Sequence, residues 1–271
     1  FATFGDYAGL AGPRAGDTNA DTASAVAQLF GGSQQAFDAH DPAQSRIAPA
    51  PVLETLGHGT GGLRIARAGG YFAKGGDPIA FAAVDHVCKA LGVDRTVDIP
   101  EAARARAAAY LVTMSEGAAL HLDRLRTRAR DFDPDTRDRL IAGTMLPGGW
   151  VVAAQKFRRW YRDEMLKLFE TVDAIVVPST PCHAPALGQK RIVLDGVDLP
   201  LRANIGVFTQ PISCIGLPVA AVPVWLAGET MPIGVQVIAA PWREDVALRV
   251  AWELERAGVV RAPVADMKKA A

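Results

Sequence analysis

The chain is poor in cysteine. Cys88, Cys182 and Cys214 are its only three, they lie far apart, and none belongs to a C-x-x-C pair. A disulfide framework and a cysteine-rich zinc site are therefore not expected, and a reduced, cytoplasmic setting is. The histidines at 40, 58, 86, 121 and 183 form no H-x-x-x-H pair, so neither a metal nor a cofactor is expected. Charge of either sign is not in excess, because Lys+Arg and Asp+Glu both number 29. That balance gives no electrostatic reason for a nucleic-acid partner or an acidic membrane surface. No run reaches the roughly eighteen apolar residues that a membrane span needs. The first residues show no basic stretch leading into an apolar one, so no signal peptide is read. No methionine begins the chain, and it reads as a piece cut from something longer.

Nucleophile motifs are missing too. None of Ser24, Ser33, Ser45, Ser115, Ser179 and Ser213 has a lysine three residues later, and no G-x-S-x-G occurs. A serine–lysine pair would put an amine beside a hydroxyl on one helix face. Cys182 and His183 are adjacent, but neighbouring side chains seldom face each other well enough for a thiolate–imidazolium pair. The Gly-rich run from Gly57 to Gly62 precedes a strand and has no lysine nearby, whereas a phosphate loop follows a strand and opens a helix. It reads as a linker. Asp131, Asp133 and Asp135 have acidic spacing but lack the glycine turn and closing glutamate of a calcium loop, so a capped helix start is read instead.

Apolar residues make up 49% of the 271, ample for one or two domains. Residues 21–29 have an Ala-rich helical pattern, and 33–54 read as a surface connection. Leu63–Ala66 alternates like a strand. Asp77 and Pro78 then suit a helix start, Phe81, Val84, Cys88 and Leu91 recur at helical spacing, and Gly92 suits the stop. Thr96–Ile99 reads as the next strand. Strand, helix, strand is a βαβ unit, so the fold class is α/β, a parallel or mixed sheet flanked by helices. Glu101–Leu122 is a long helix former. Pro134–Phe169 reads as one or two helices broken near Pro147-Gly148-Gly149. Its apolar stripe is Trp150, Ala154, Phe157, Tyr161, Met165 and Leu168, with Arg158, Arg159, Arg162 and Lys167 on a solvated face. Ala174–Val177, Val219–Val224 and Ile233–Ile238 suit strands buried on both faces. A helix over 241–258 and a frayed tail at 267–271 close the chain.

Three segments recur as strand plus flanking loop: Asp173-Ala-Ile-Val-Val-Pro-Ser-Thr-Pro181, Phe208-Thr-Gln-Pro-Ile-Ser-Cys-Ile-Gly-Leu-Pro218 and Met231-Pro-Ile-Gly-Val-Gln-Val-Ile-Ala239. In this order they resemble the C-terminal half of the amidase-signature family, with its D-x-x-x-x-P-x-x-P, F-T-x-P…G-L-P and L-P-x-G-x-Q strands. Arg139-Leu-Ile-Ala-Gly-Thr144 and Ala154-Gln-Lys156 sit where that family has an R-x-x-x-G-T and an A-Q-K helix. Asp6 with Gly12-Pro13 loosely echoes its D-x-x-G-P segment. The resemblance spans Gly62 to Gly258, leaving 1–61 as a poorly matched helix and linker and 259–271 as a tail. Gly69-Gly-Tyr-Phe72, Leu125-Arg-Thr-Arg128, Phe157-Arg-Arg-Trp160 and Ala239-Ala-Pro-Trp-Arg-Glu-Asp245 are most similar to the family's carboxybiuret-hydrolase branch.

The resemblance implies amide hydrolysis by a serine, a bridging serine and a lysine, with a Gly-rich loop donating to the oxyanion. None of that machinery is in this chain, which is left with a wall of the substrate pocket. Arg139 matches an arginine that faces the substrate carboxylate in glutamine-type members; its alternative is a surface salt bridge. Thr209 and Gln210 follow a strand pattern and are candidates for the pocket rim, with loop capping as the alternative. His121 is either a substrate contact or a satisfied buried imidazole. Glutamine-type members carry an aspartate where this chain has Gly206, which implies a substrate without an ammonium group. The implied partners are a small amide or urea-like substrate, and a homodimer mate or a small helical subunit. The competing reading is a non-catalytic scaffold derived from an amidase. On either reading the isolated chain should release no ammonia from biuret or simple amides. Turnover that survives purification and disappears on mutating a residue of this chain would contradict this.

Overall fold

The computed structural model describes residues 52–263. The expected helix at 21–29, the connection before residue 52, the segment around Asp6 and Gly12-Pro13 and the tail at 267–271 lie outside the described residues. The end of the expected connection is helical: α1 (Val52–Thr55) buries Val52, and with Leu56 it packs on Leu248 and Trp252. The expected linker from Gly57 to Gly62 is a loop. It turns carbonyl oxygens toward a cation, for the Arg249 guanidinium donates to the carbonyls of His58, Gly59 and Gly61. A phosphate loop has the opposite polarity.

The βαβ unit is present, with β1 at Ile65–Ala68, α2 at Pro78–Leu91 and β2 at Thr96–Val97. β1 starts two residues later than its sequence pattern suggests. Gly92 ends α2 in the left-handed conformation, with its N–H on the Cys88 and Lys89 carbonyls. Asp77 is at the N-cap, yet its side chain makes no capping bond; its backbone N–H donates instead to the Pro181 carbonyl at 2.7 Å.

β3 (Ala174–Pro178), β6 (Val219–Val224) and β7 (Ile233–Ala239) complete a five-stranded mixed sheet in the order β2-β1-β3-β7-β6. β2, β1 and β3 run parallel, and β7 and β6 are antiparallel additions. Pro223 sits in β6, an edge strand, where a missing N–H costs least. β3 is buried on both faces because its alternate side chains enter two cores. Ala174 and Val176 face α2 and α8 (Glu244–Arg256); Ile175 and Val177 face the opposite helices with Phe72, Phe208 and Tyr161. Fully burying each Val or Ile here contributes about 1.5–3 kcal/mol.

The second helical layer contains α3 (Ala102–Arg128), α4 (Pro134–Thr144) and α5 (Gly148–Phe169). The break expected near Pro147 therefore separates two helices. α3 is longer than its sequence pattern indicated, and it meets its neighbours through Ala105, Ala108, Ala109, Val112 and Ala118, small residues that allow close approach. Of the α5 stripe, Ala154, Tyr161 and Met165 are buried and Phe157 and Leu168 pack beside them, but Trp150 is exposed. Arg158 leaves the solvated face: its Nε donates to the Cys214 carbonyl at 2.6 Å. On α4 Leu140 is buried, whereas Ile141, and Met145 just past its end, are exposed.

A hairpin that the sequence pattern did not suggest, β4 (Arg191–Leu194) and β5 (Val197–Pro200), turns at Asp195 (φ 48°) and Gly196 (φ 77°). Positive φ at both positions is the I′ geometry that Asp-Gly favours. Two one-turn helices, α6 (Leu201–Asn204) and α7 (Gln210–Ser213), lead back to β6.

Gly143 is the point of closest approach between α3 and α4. A Cβ there would lie 2.2 Å from the Met114 carbonyl oxygen and 3.0 Å from Ala118 Cβ. Backbone cannot yield as a side chain does, so Gly143→Ala should destabilise the fold by about 1–3 kcal/mol or more. Gly117→Ala meets only the end of the Leu140 side chain, at 2.9 Å, and gains helix propensity of about 1 kcal/mol. Urea unfolding of both variants should show a large loss for the first and a near-neutral change for the second. Equal losses would mean that the α3–α4 contact is looser than described.

Candidate functional site

Three spaced residues of α3 define the site. Arg106, Tyr110 and Thr113 fall on one helix face, at i, i+4 and i+7. α4 adds Arg139, whose guanidinium carbon lies 4.8 Å from the Tyr110 ring centre while Nη2 donates to Thr113 Oγ1 at 3.0 Å. From the other side, residues 203–210 close against Arg106. Its Nε donates to Gln210 Oε1 at 2.8 Å, and its Nη2 donates to the Ala203 carbonyl at 2.7 Å and to Asn204 Oδ1 at 2.9 Å. Tyr71 donates to the Val207 carbonyl at 3.0 Å. The result is a continuous ledge, Arg139–Tyr110–Ala203–Arg106–Gln210.

The ledge is braced from below. Arg202 of α6 reaches Asp133 at 2.6 Å and Asp135 at 3.2 Å, at the start of α4. Asp133 also caps α4 by accepting from the Thr136 N–H, and that bond holds its carboxyl below the usual range, with Arg202 assisting. These pairs are exposed and add little stability; they fix where α4 stands relative to the loop at 201–204. Pro200, at the end of the hairpin, accepts from Asn204 Nδ2 at 2.9 Å.

Arg139, Thr209 and Gln210 gather around this ledge. Arg139 is exposed and forms no salt bridge among the described residues, so its expected surface ion pair is replaced by the stack on Tyr110. Thr209 and Gln210 do not continue a strand; they open α7, and the Thr209 hydroxyl donates to the Gly206 carbonyl at 3.2 Å. His121 lies apart, fifteen residues beyond Arg106 on α3, or roughly 22 Å at 1.5 Å per residue. It packs edge-on against Phe132, and its Nδ1 is buried with no hydrogen bond among the described residues. His121 thus stands about two turns beyond the Thr113 end of the ledge, and its ring is not satisfied by a hydrogen bond at Nδ1 among the described residues. Arg106 was missed in the sequence, where one arginine among several on a helix carries no signal.

The motif residues themselves hold the frame. Asp173 clamps Arg64 through its N–H at 2.7 Å and its guanidinium at 2.9 Å and 3.2 Å, and this bonding keeps the Asp173 carboxyl below its ordinary value. Gln236 is buried, and its Nε2 donates to the Pro178 and Phe208 carbonyls at 2.8 Å and 3.2 Å. One carboxamide thus joins the three motif segments. Ser179 is buried against Gly234, and its hydroxyl has no hydrogen-bond partner among the described residues.

The family model described as Amidase matches residues 21–248. The chain belongs to the amidase signature family. It is 43% identical over 244 residues to AtzE, the 1-carboxybiuret hydrolase subunit of Pseudomonas sp. (strain ADP), covering 89% of this chain and 53% of that protein. It is 30% identical over 265 residues to a glutamyl-tRNA(Gln) amidotransferase subunit of Geobacter metallireducens, covering 83% of this chain and again 53% of the relative. A solved structure described as an inhibitor-bound vestigial protein complex revealing the origins of an s-triazine catabolic enzyme superposes with a TM-score of 0.81 at 43% identity, over 84% of this chain and 50% of that one. A bacterial aryl acylamidase shares the fold at a TM-score of 0.69 and 18% identity. The chain spans about half the length of the relatives it matches.

The three cysteines are buried. Burial raises the thiols of Cys182 and Cys214 and holds that of Cys88 at about 11, so the thiolate is disfavoured at neutral pH. The nearest approach of His183 Nε2 to an acid is 3.8 Å, to Glu229. The native chain should react negligibly with iodoacetamide at pH 7. Reaction should quicken as pH rises, because thiolate then becomes populated, and be complete on unfolding in urea. Rapid labelling of Cys182 at pH 7 would contradict this.

Proposed function

We propose that this chain is the C-terminal part of an amide hydrolase acting on carbon–nitrogen bonds other than peptide bonds. It supplies the acyl-side wall of the pocket, and the serine–serine–lysine machinery comes from the half it does not contain. The observation that carries this reading is the ledge of Arg139, Tyr110, Arg106 and Gln210, within a chain 43% identical to a 1-carboxybiuret hydrolase subunit. The name of that relative points to a small urea-like amide bearing a carboxylate as substrate. Arg139 suits the carboxylate: it lacks an acidic partner among the described residues, and its Nε and Nη1 make no hydrogen bond there. A guanidinium fork holds a carboxylate by two parallel bonds. Thr209 and Gln210 are proposed for the rim.

The setting is proposed as cytoplasmic, which the three unpaired cysteines suit. Among the described residues no helix is long and apolar enough to cross a membrane. A homodimer mate or small helical subunit is proposed as partner, in keeping with the complex named for the solved relative.

The test is a chimera joining the N-terminal half of the Pseudomonas 1-carboxybiuret hydrolase subunit to this chain. The folded chimera should release ammonia from biuret-type amides. Arg139→Lys should raise KM for carboxylated amides by about ten- to a hundredfold, the equivalent of a charged hydrogen bond of about 1.5–3 kcal/mol, and leave neutral amides nearly unchanged. A folded chimera without turnover would favour the competing reading, a scaffold derived from an amidase.

A further inference from the structure

The acceptors that face Arg106 each take a hydrogen bond from it, and the Gln210 amide donors are left over. Gln210 Oε1, Asn204 Oδ1 and the Ala203 carbonyl all accept from Arg106. The orientation of the Gln210 carboxamide follows from chemistry alone: arginine has donors and no acceptor, so the atom facing Nε must be the amide oxygen. Gln210 Nε2 then points its two N–H groups away from Arg106 and bonds to nothing among the described residues. The Arg106 guanidinium also engages the Tyr71 hydroxyl, and among the described residues no carboxylate forms an ion pair with it. Gly206 lies alongside, where a Cβ would stand 3.4 Å from Gln210 Cγ, Cδ and Nε2, in ordinary van der Waals contact.

We infer that Arg106 is a positioning residue that locks Gln210 with its NH2 outward, so that the ledge reads hydrogen-bond acceptors and rejects ammonium groups. The ligand class is a small amide with carbonyl or carboxylate oxygens on its acyl side, and no amine. This inference rests on the ledge being the acyl-side wall proposed above. An ammonium group here would meet the charge of an unneutralised guanidinium and the donor side of the Gln210 amide, with no carboxylate to offset them. A carboxylate or carbonyl oxygen would accept from Gln210 Nε2 beside that positive charge.

The test needs no catalytic half. The 15N-labelled chain is titrated at constant ionic strength with malonamate, which carries a carboxylate, and with glycinamide, which carries an ammonium group. The Gln210 side-chain amide and the Arg106 Nε–H should shift with malonamate and stay in place with glycinamide. Arg106→Met should erase that discrimination in a chain that still shows a dispersed spectrum, and Arg106→Lys should retain part of it. Should Arg106→Met unfold, Gln210→Glu decides: it replaces donors with an acceptor of the same size and should turn the preference toward glycinamide. Equal shifts with both probes, no shift with either, or unchanged discrimination in the folded variants would overturn the inference. In the chimera, Arg106→Met should lower the malonamate-to-glycinamide ratio of kcat/KM about tenfold or more. An inactive chimera would count against the proposed function, and the titration would still decide this inference.

Discussion

One buried carboxamide holds the working part of the molecule together. Gln236 stands on β7, yet its Nε2 reaches the carbonyl of Pro178 at the end of β3 and that of Phe208 at the start of the loop leading to α7. Those residues belong to the three motif segments, which this one side chain joins. A buried carbonyl left without its donor costs about 1–3 kcal/mol, so the loop carrying Thr209 and Gln210 is tied to the sheet by a group that apolar packing cannot replace. Phe208 is fully buried among Tyr71, Phe72 and Phe81 and seats the same loop from the other side.

From that anchor the ledge follows. The loop presents Ala203, Asn204 and Gln210 to Arg106, and α3 passes the register on to Tyr110 and Thr113, where Arg139 docks from α4. The absence of side chain at Gly143 lets α4 approach closely enough for that docking. On the proposed reading, the binding character of the wall is set by how the polar atoms are paired: the Gln210 oxygen faces Arg106 and its amide donors are left over. That is a property of the network and of no single residue.

What the sequence reveals here is what depends on local pattern. β3 and β7 were legible because largely apolar runs suit strands covered on both sides, and α2 because Pro78 and Gly92 bracket a periodic segment. β6 was legible as a strand, but at the sheet edge it is not buried on both faces as expected, with Ala221 exposed and Val219, Ala220 and Pro223 half-buried. The hairpin at 191–200 went unread although Asp195-Gly196 is a strong turn signal, since its flanking strands mix charged and apolar residues. Met145, Ile141 and Trp150 look like core residues by type and are exposed, because periodicity does not say which helix faces are covered. Of the site, Gln210 and Thr209 were reached through the family motif and Arg139 by position. Arg106 was beyond reach, for its partners lie 97, 98 and 104 residues away and only the fold brings them together.

The most direct measurement is amide hydrogen exchange on Gln236→Leu, a substitution that keeps the site apolar and removes the donor. If Gln236 ties the ledge loop to the sheet, amides from Gly206 to Ile215 should exchange much faster than in the parent chain. The β3–β7 ladder, from Ala174–Ala239 to Pro178–Val235, should keep its protection. Unchanged exchange in the loop, or an equal loss of protection in loop and ladder, would contradict the account.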